Sequence, residues 1–91
     1  MKSLSKHITE LIQDTRLERI GDEARADVRI EKTIGDFDVL IDGEINAVID
    51  NYMPSTYYAP EEYDIINNDF DGYVILTYGE SHREIKINFS W

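Results

Sequence analysis

The feature that most constrains this chain is a two-residue alternation of apolar and polar side chains, which appears in the middle and returns near the end. Val28, Ile30 and Ile34 alternate with Asp27, Arg29, Glu31 and Thr33. Phe37, Val39 and Ile41 alternate with Asp38, Leu40 and Asp42, and Ile45, Ala47 and Ile49 follow. Val74, Leu76 and Tyr78 repeat the pattern, as do Ile85, Ile87 and Phe89. A period of two puts every second side chain on one face, so each segment predicts a half-buried strand.

The breaks between these runs carry turn chemistry. Gly35-Asp36 reads as a two-residue hairpin loop, pairing Ile34 with Phe37 and Ile30 with Ile41. Asp42-Gly43 reads as a second turn. A three-residue loop there pairs Ile41 with Ile45, Val39 with Ala47 and Phe37 with Ile49, which keeps one apolar face. Gly79-Glu80-Ser81-His82 joins the last two strands. Between the third and fourth strands lies Asn51 to Asp71, where Pro54 and Pro60 oppose a regular element and a long loop is expected.

Ahead of the strands the period changes. Leu4, Ile8, Leu11, Ile12 and Thr15 recur at helical spacing, with Ser3 or Ser5 as cap and Gly21 as terminator. A helix over about 4–20 is expected, with Arg16 and Arg19 in its last turn. The fold expected is α+β, with residues 1–91 as one domain. The N-terminal helix packs on one face of a five-stranded antiparallel meander, and Asp27, Glu31, Asp38 and Asp50 point to water on the other. The shared buried face is Val28, Ile30, Phe37, Val39, Ile41, Ile45, Ile49, Leu76 and Ile87.

Charge is the main functional clue. The net charge is −10, and it is unevenly placed. Residues 1–35 hold seven basic and seven acidic side chains; residues 72–91 hold two of each. Residues 36–71 hold Asp36, Asp38, Asp42, Glu44, Asp50, Glu61, Glu62, Asp64, Asp69 and Asp71, and no Lys or Arg. Solubility alone explains acidity, but a neutral mixture would also solvate and would avoid self-repulsion. Such a surface opposes direct binding to nucleic acid or an anionic membrane and favours a protein with a basic surface.

Four of the six tyrosines (Tyr52, Tyr57, Tyr58 and Tyr63) fall among those acids. Tyrosine offers large contact area with a polar tip, so they can anchor a partner, or they can pack the loop on the sheet. The candidate partner-binding set is Asp50, Tyr52, Tyr57, Tyr58, Glu61, Glu62, Tyr63, Asp64, Asp69 and Asp71. Asn67, Asp69, Asp71 and Gly72 also match the opening of a calcium loop, but Tyr78 stands where the bidentate Glu belongs. A calcium-binding module is thus one alternative, and an assembly subunit with a solubilising acidic surface is another. An Asp/Asn/Gly turn explains the same residues without metal.

Several classes find no support in the residues. Cysteine is absent, which removes disulfides and thiolate chemistry. His7 and His82 stand alone, the glycines sit singly, and Glu61, Glu62 and Asp64 lack a cleft to separate their pKa values. A non-catalytic protein without a cofactor is expected. The interrupted start from Met1 to His7 lacks the continuous apolar stretch of a signal peptide, so a cytoplasmic setting is expected.

Small size, one-domain build, lack of cysteine and the acidic block resemble the small phage-encoded anti-defence proteins, including DNA mimics and anti-CRISPR proteins. The resemblance is one of size and composition, with no shared motif, so it transfers no residue roles. It implies an inhibitor whose carboxylates occupy sites built for phosphates.

Overall fold

The structure, a computed structural model, describes residues 3–91. It consists of helix α1 (Leu4–Gln13) and strands β1 (Glu18–Ile20), β2 (Glu23–Ile34), β3 (Phe37–Met53), β4 (Glu62–Tyr78) and β5 (Ser81–Ser90). The strands form one antiparallel sheet in the order β1-β2-β3-β4-β5, so the expected helix on a five-stranded meander is present. The division of the chain into strands differs from the expectation in three places.

The helix is half the expected length. Ser3 caps it, its hydroxyl accepting a hydrogen bond from the Lys6 N–H at 3.1 Å. Ile8 and Ile12 are its buried residues. One turn beyond Ile12, Thr15 and Arg16 offer nothing comparable to bury, and the helix stops at Gln13 with Asp14 as its C-cap. Arg19 therefore lies in β1, opposite Ala24, and Gly21 opens a hairpin. Gly21-Asp22, Gly35-Asp36 and Gly79-Glu80 are three two-residue connections of one design. The glycine has φ near +60°, and the following acid does not share the positive φ. That is the type II′ pattern, whose twist matches the flanking strands.

Asp42-Gly43 is not a turn. β3 runs straight through it for 17 residues, and the apolar positions 37, 39, 41, 45, 47 and 49 keep one parity throughout. The pairs expected across that turn do not form. Ile41 instead faces Ile30 and Val74, and Ile45 faces Ala26 and Phe70.

The third difference is the long connection. Of Asn51 to Asp71, only residues 54–61 are loop; β4 begins at Glu62. The alternation in β4 is masked by a bulge. Asn46 faces Asp69 but Val48 faces Ile66, so Asn67 and Asn68 together oppose Ala47. Asn67 has φ 54°, a left-handed conformation that asparagine tolerates. A similar irregularity follows Asp50, where Asn51 has φ 51°.

The expected buried face lies on the helix side. Val28, Val39, Ile41 and Ile45 are buried with Ile8, Ile12, Phe70 and Val74, and Ile30, Phe37, Leu76 and Ile87 pack around them half-buried. Ile49, also half-buried, shares their parity on β3. Extents of 56 × 22 × 19 Å make the molecule a rod, because two 17-residue strands each span about 56 Å at ~3.3 Å per residue. The ten-residue helix covers only about 15 Å of that length. Among the described residues no helix is long and apolar enough to cross a membrane.

Candidate partner-binding surface

The sheet face opposite the helix gathers acids that the sequence scatters. Its cross-strand rows follow from the register. Thr33, Asp38, Thr77 and His82 form one row; Glu31, Leu40, Ile75 and Glu84 the next. Arg29, Asp42, Tyr73 and Lys86 follow, then Asp27, Glu44, Asp71 and Asn88. Beyond these lie Arg25, Asn46, Asp69 and Ser90, then Glu23, Val48 and Ile66, then Asp50 opposite Asp64. With Glu62 added by parity, β2 to β5 set twelve carboxylates on this face against three cations, Arg25, Arg29 and Lys86, and Glu18 of β1 lies beside Arg25.

Two of those cations are already engaged. Arg29 bonds Asp42 at 3.0 Å and Glu31 at 3.5 Å, and Arg25 bonds Glu23 at 2.7 Å. The Asp27–Glu44–Asp71 row contains no cation at all. Directly opposed like charges in a sheet cost stability, and the row contains two such pairs, with Asp50–Asp64 a third. Asn51 partly relieves the last by donating its side-chain N–H to Asp64 at 2.8 Å. Asp69 accepts a hydrogen bond from the Ser90 hydroxyl at 3.1 Å.

Apolar side chains interrupt the acids. Val48 and Ile66 face each other across β3 and β4, and both are exposed, while Leu40 and Ile75 pair half-buried farther along. A surface of acids with apolar inserts suits a partner better than a uniformly charged one, because burial supplies most binding energy.

The tyrosines divide into two pairs. Tyr57 and Tyr58 stand at the apex of the 54–61 loop, 94% and 92% exposed, with ring centroids 5.0 Å apart in a T-shaped contact. Thr56 and Ala59 close the turn beneath them: the Thr56 N–H donates to the Ala59 carbonyl at 2.8 Å. The Ala59 N–H donates to the Thr56 hydroxyl at 3.1 Å. Tyr52 and Tyr63 belong to the strands. Tyr52 lies beside β1, with the Arg19 guanidinium 4.9 Å from its ring centroid, and Tyr63 is half-buried. Glu61 accepts a hydrogen bond from the Tyr52 phenol, and that bond, with some burial, raises the Tyr52 pKa above its ordinary value. Glu61 also pairs with Arg19 at 2.6 Å, so this acid has a cation of its own. Glu62 opposes Met53 and is exposed.

The calcium alternative loses its loop. Past the bulge at Asn67, Asn68 to Gly72 runs along β4 as strand and not as a closed loop. Among the described residues no group of three His, Cys, Asp or Glu side chains is placed to hold a metal ion.

The sequence-derived set named the acids near the tyrosines and omitted Asp27, Asp38, Asp42 and Glu44 from the site. Their shared parity was the available signal, since strand alternation alone puts them on the wet face. No protein-family model, curated protein or solved structure matches this chain.

Proposed function

We propose that this protein is a non-catalytic binding protein that docks its acidic sheet face, with the Tyr57–Tyr58 tip, on a basic surface of a partner protein and blocks it. The observation that carries this reading is the Asp27–Glu44–Asp71 row. Three carboxylates are set directly beside one another across three strands, at a cost to stability that solubility does not require. A basic partner removes that repulsion on docking, so the complex gains what the free protein lacks.

The charge density suits a surface built for nucleic acid. Twelve carboxylates along a 56 Å rod amount to one per about 5 Å, against one phosphate per ~3.4 Å of a single strand in duplex DNA. With Arg25, Arg29 and Lys86 subtracted, nine net charges over that length leave the face about half of one strand's charge, with Val48, Ile66 and the tyrosine tip adding apolar contact. This is the chemistry of a DNA-mimicking inhibitor, of the anti-defence kind that the composition resembles, acting in the cytoplasm.

The test is equilibrium binding to a panel of basic nucleic-acid-binding proteins over a salt series, with duplex DNA as competitor. Tight binding that weakens as salt rises and is displaced by DNA supports the reading. Salt-independent binding, or none, with DNA and this protein bound at once, overturns it.

A further inference from the structure

We infer that β5 pairs with β5 of a second copy about a two-fold axis at Ile85, giving a dimer with one continuous ten-stranded sheet.

The two edges of the sheet differ. At one edge β1 covers Glu23 to Arg25 of β2, and farther along Arg29 already pairs with both Glu31 and Asp42. At the other edge, among the described residues, β5 is open over all ten residues, with no proline and no register break against β4. A long regular edge presents unpaired N–H and C=O groups and is a template for another strand.

Which backbone groups are open follows from the C-terminus. Trp91 and Asn68 exchange both backbone hydrogen bonds, at 3.0 and 3.2 Å. Exchange alternates along an antiparallel pair, so odd-numbered residues of β5 turn their backbone groups to β4. Those of His82, Glu84, Lys86, Asn88 and Ser90 point to the open edge. A two-fold axis at Ile85 makes Ile85 face its own copy in a non-hydrogen-bonded pair, where side chains approach most closely. The same axis sets Glu84 opposite Lys86 of the second copy, and Lys86 opposite its Glu84. Both fall in hydrogen-bonded pairs, as the backbone directions require.

Charge and burial favour this occupant. The chain carries −10 overall, yet β5 holds Arg83 and Lys86 against Glu84 alone, so this edge lacks the repulsion found elsewhere. Among the described residues Arg83, Glu84 and Lys86 form no ion pair, so the pairing takes nothing from the fold. On the helix side Ile85 is 37% exposed. It forms part of an open apolar groove of about 450 Å³ between α1 and β4–β5, where Leu76, Ile87 and Phe89 also lie. Pairing at Ile85 joins the two grooves floor to floor.

Sedimentation equilibrium on the full chain tests the inference, with thermal melts to confirm that each variant is folded. The wild type is expected to reach twice the 10.6 kDa chain mass as concentration rises. Lys86→Glu turns two opposite-charge pairs into two like-charge pairs and should weaken the dimer by about tenfold or more. Glu84→Lys combined with Lys86→Glu restores complementarity and should restore the dimer. A wild type that stays monomeric at millimolar concentration overturns the inference. So does a dimer indifferent to Lys86→Glu, or a double variant that fails to recover. Binding of a basic partner by a monomer leaves the proposed function standing on its own.

Discussion

Gly43 stands directly opposite Gly72 at the centre of the sheet, and the Phe70 ring lies across the space that neither glycine fills. A Cβ on Gly43 would sit 2.9 Å from the ring and 2.5 Å from the Asp71 carbonyl oxygen. A Cβ on Gly72 would meet Phe70 at 2.9 Å, the Gly43 Cα at 2.6 Å and the Asp42 carbonyl. The glycines let the two long strands approach there, and the ring restores the apolar contact that the missing side chains withhold. Gly43→Ala should therefore destabilise the fold by roughly 1–3 kcal/mol through overpacking against backbone that cannot move aside. Urea unfolding monitored by circular dichroism measures this, and a variant as stable as the wild type would refute the close approach.

That pair also explains where sequence reading failed. Asp-Gly between apolar runs has the chemistry of a hairpin loop, and glycine in a strand centre has the chemistry of close backbone approach. The local signals are the same. Only the unbroken parity from Phe37 to Ile49 separated them, and a three-residue loop could imitate that parity. The face assignments survived because parity, unlike turn identity, depends on burial alone. Val39 is 3% exposed, on the face expected for it. Four acids of that face, Asp27, Glu31, Asp38 and Asp50, were legible in the same way. Asp42 was hidden by the apparent turn, Asp64, Asp69 and Asp71 by the apparent loop, and the cross-strand rows altogether. Which acid faces which depends on pairing between β3 and β4, and no local signal encodes that register.

Asn67 hid half of β4 and should respond to substitution in a diagnostic order. Its bulge changes the phase between Ile65 and Phe70, so the stretch reads as aperiodic. At φ 54°, Asn67→Ala should cost about 1 kcal/mol, because a Cβ without a compensating polar group is strained there. Asn67→Gly should be neutral or slightly stabilising for the same reason. Thermal melts of the two variants test this, and an alanine variant as stable as the glycine one would rule out left-handed strain at the bulge.

Tyr52 and Tyr73 should ionise late and destabilise the fold as they do. Glu61 raises the Tyr52 pKa chiefly through its hydrogen bond. Asp42 raises that of Tyr73 chiefly through its charge, with Arg29 acting against it. A folded-state pKa above the unfolded value means the stabilisation is fully present below the unfolded pKa of 10.0. It is lost as pH rises through the folded values. Stability should therefore decline on the alkaline side of 10.0, and Tyr52→Phe should flatten that decline. Ultraviolet titration of the phenols offers a direct check. If the Tyr52→Phe variant loses an early-ionising tyrosine instead of a late one, the Glu61 contact is absent in solution.

The acidic row makes opposite demands on stability and on binding, and that opposition is the sharpest test of the proposed function. Replacing Glu44 with Gln, and Asp64 and Asp71 with Asn, removes carboxylates that stand directly opposite others across the sheet. The free protein should gain stability, by roughly 0.2–1 kcal/mol for each relieved pair. If these acids meet a basic partner, the same variant should associate more slowly, and its association rate should depend less on salt. Tyr57→Ala or Tyr58→Ala should act on the other rate. Each ring is exposed and outside the core, so folding should be unaffected, while loss of an anchor should speed dissociation by an equivalent of roughly 1–3 kcal/mol. Association and dissociation rates from surface plasmon resonance, measured against the cognate partner at two salt concentrations, separate the two effects. A triple acid variant that is more stable and binds as fast as the wild type at low salt would mean that these three acids contribute only solubility. In that outcome Glu44, Asp64 and Asp71 carry a folding cost with no binding return, and the tyrosine tip alone would have to hold the partner.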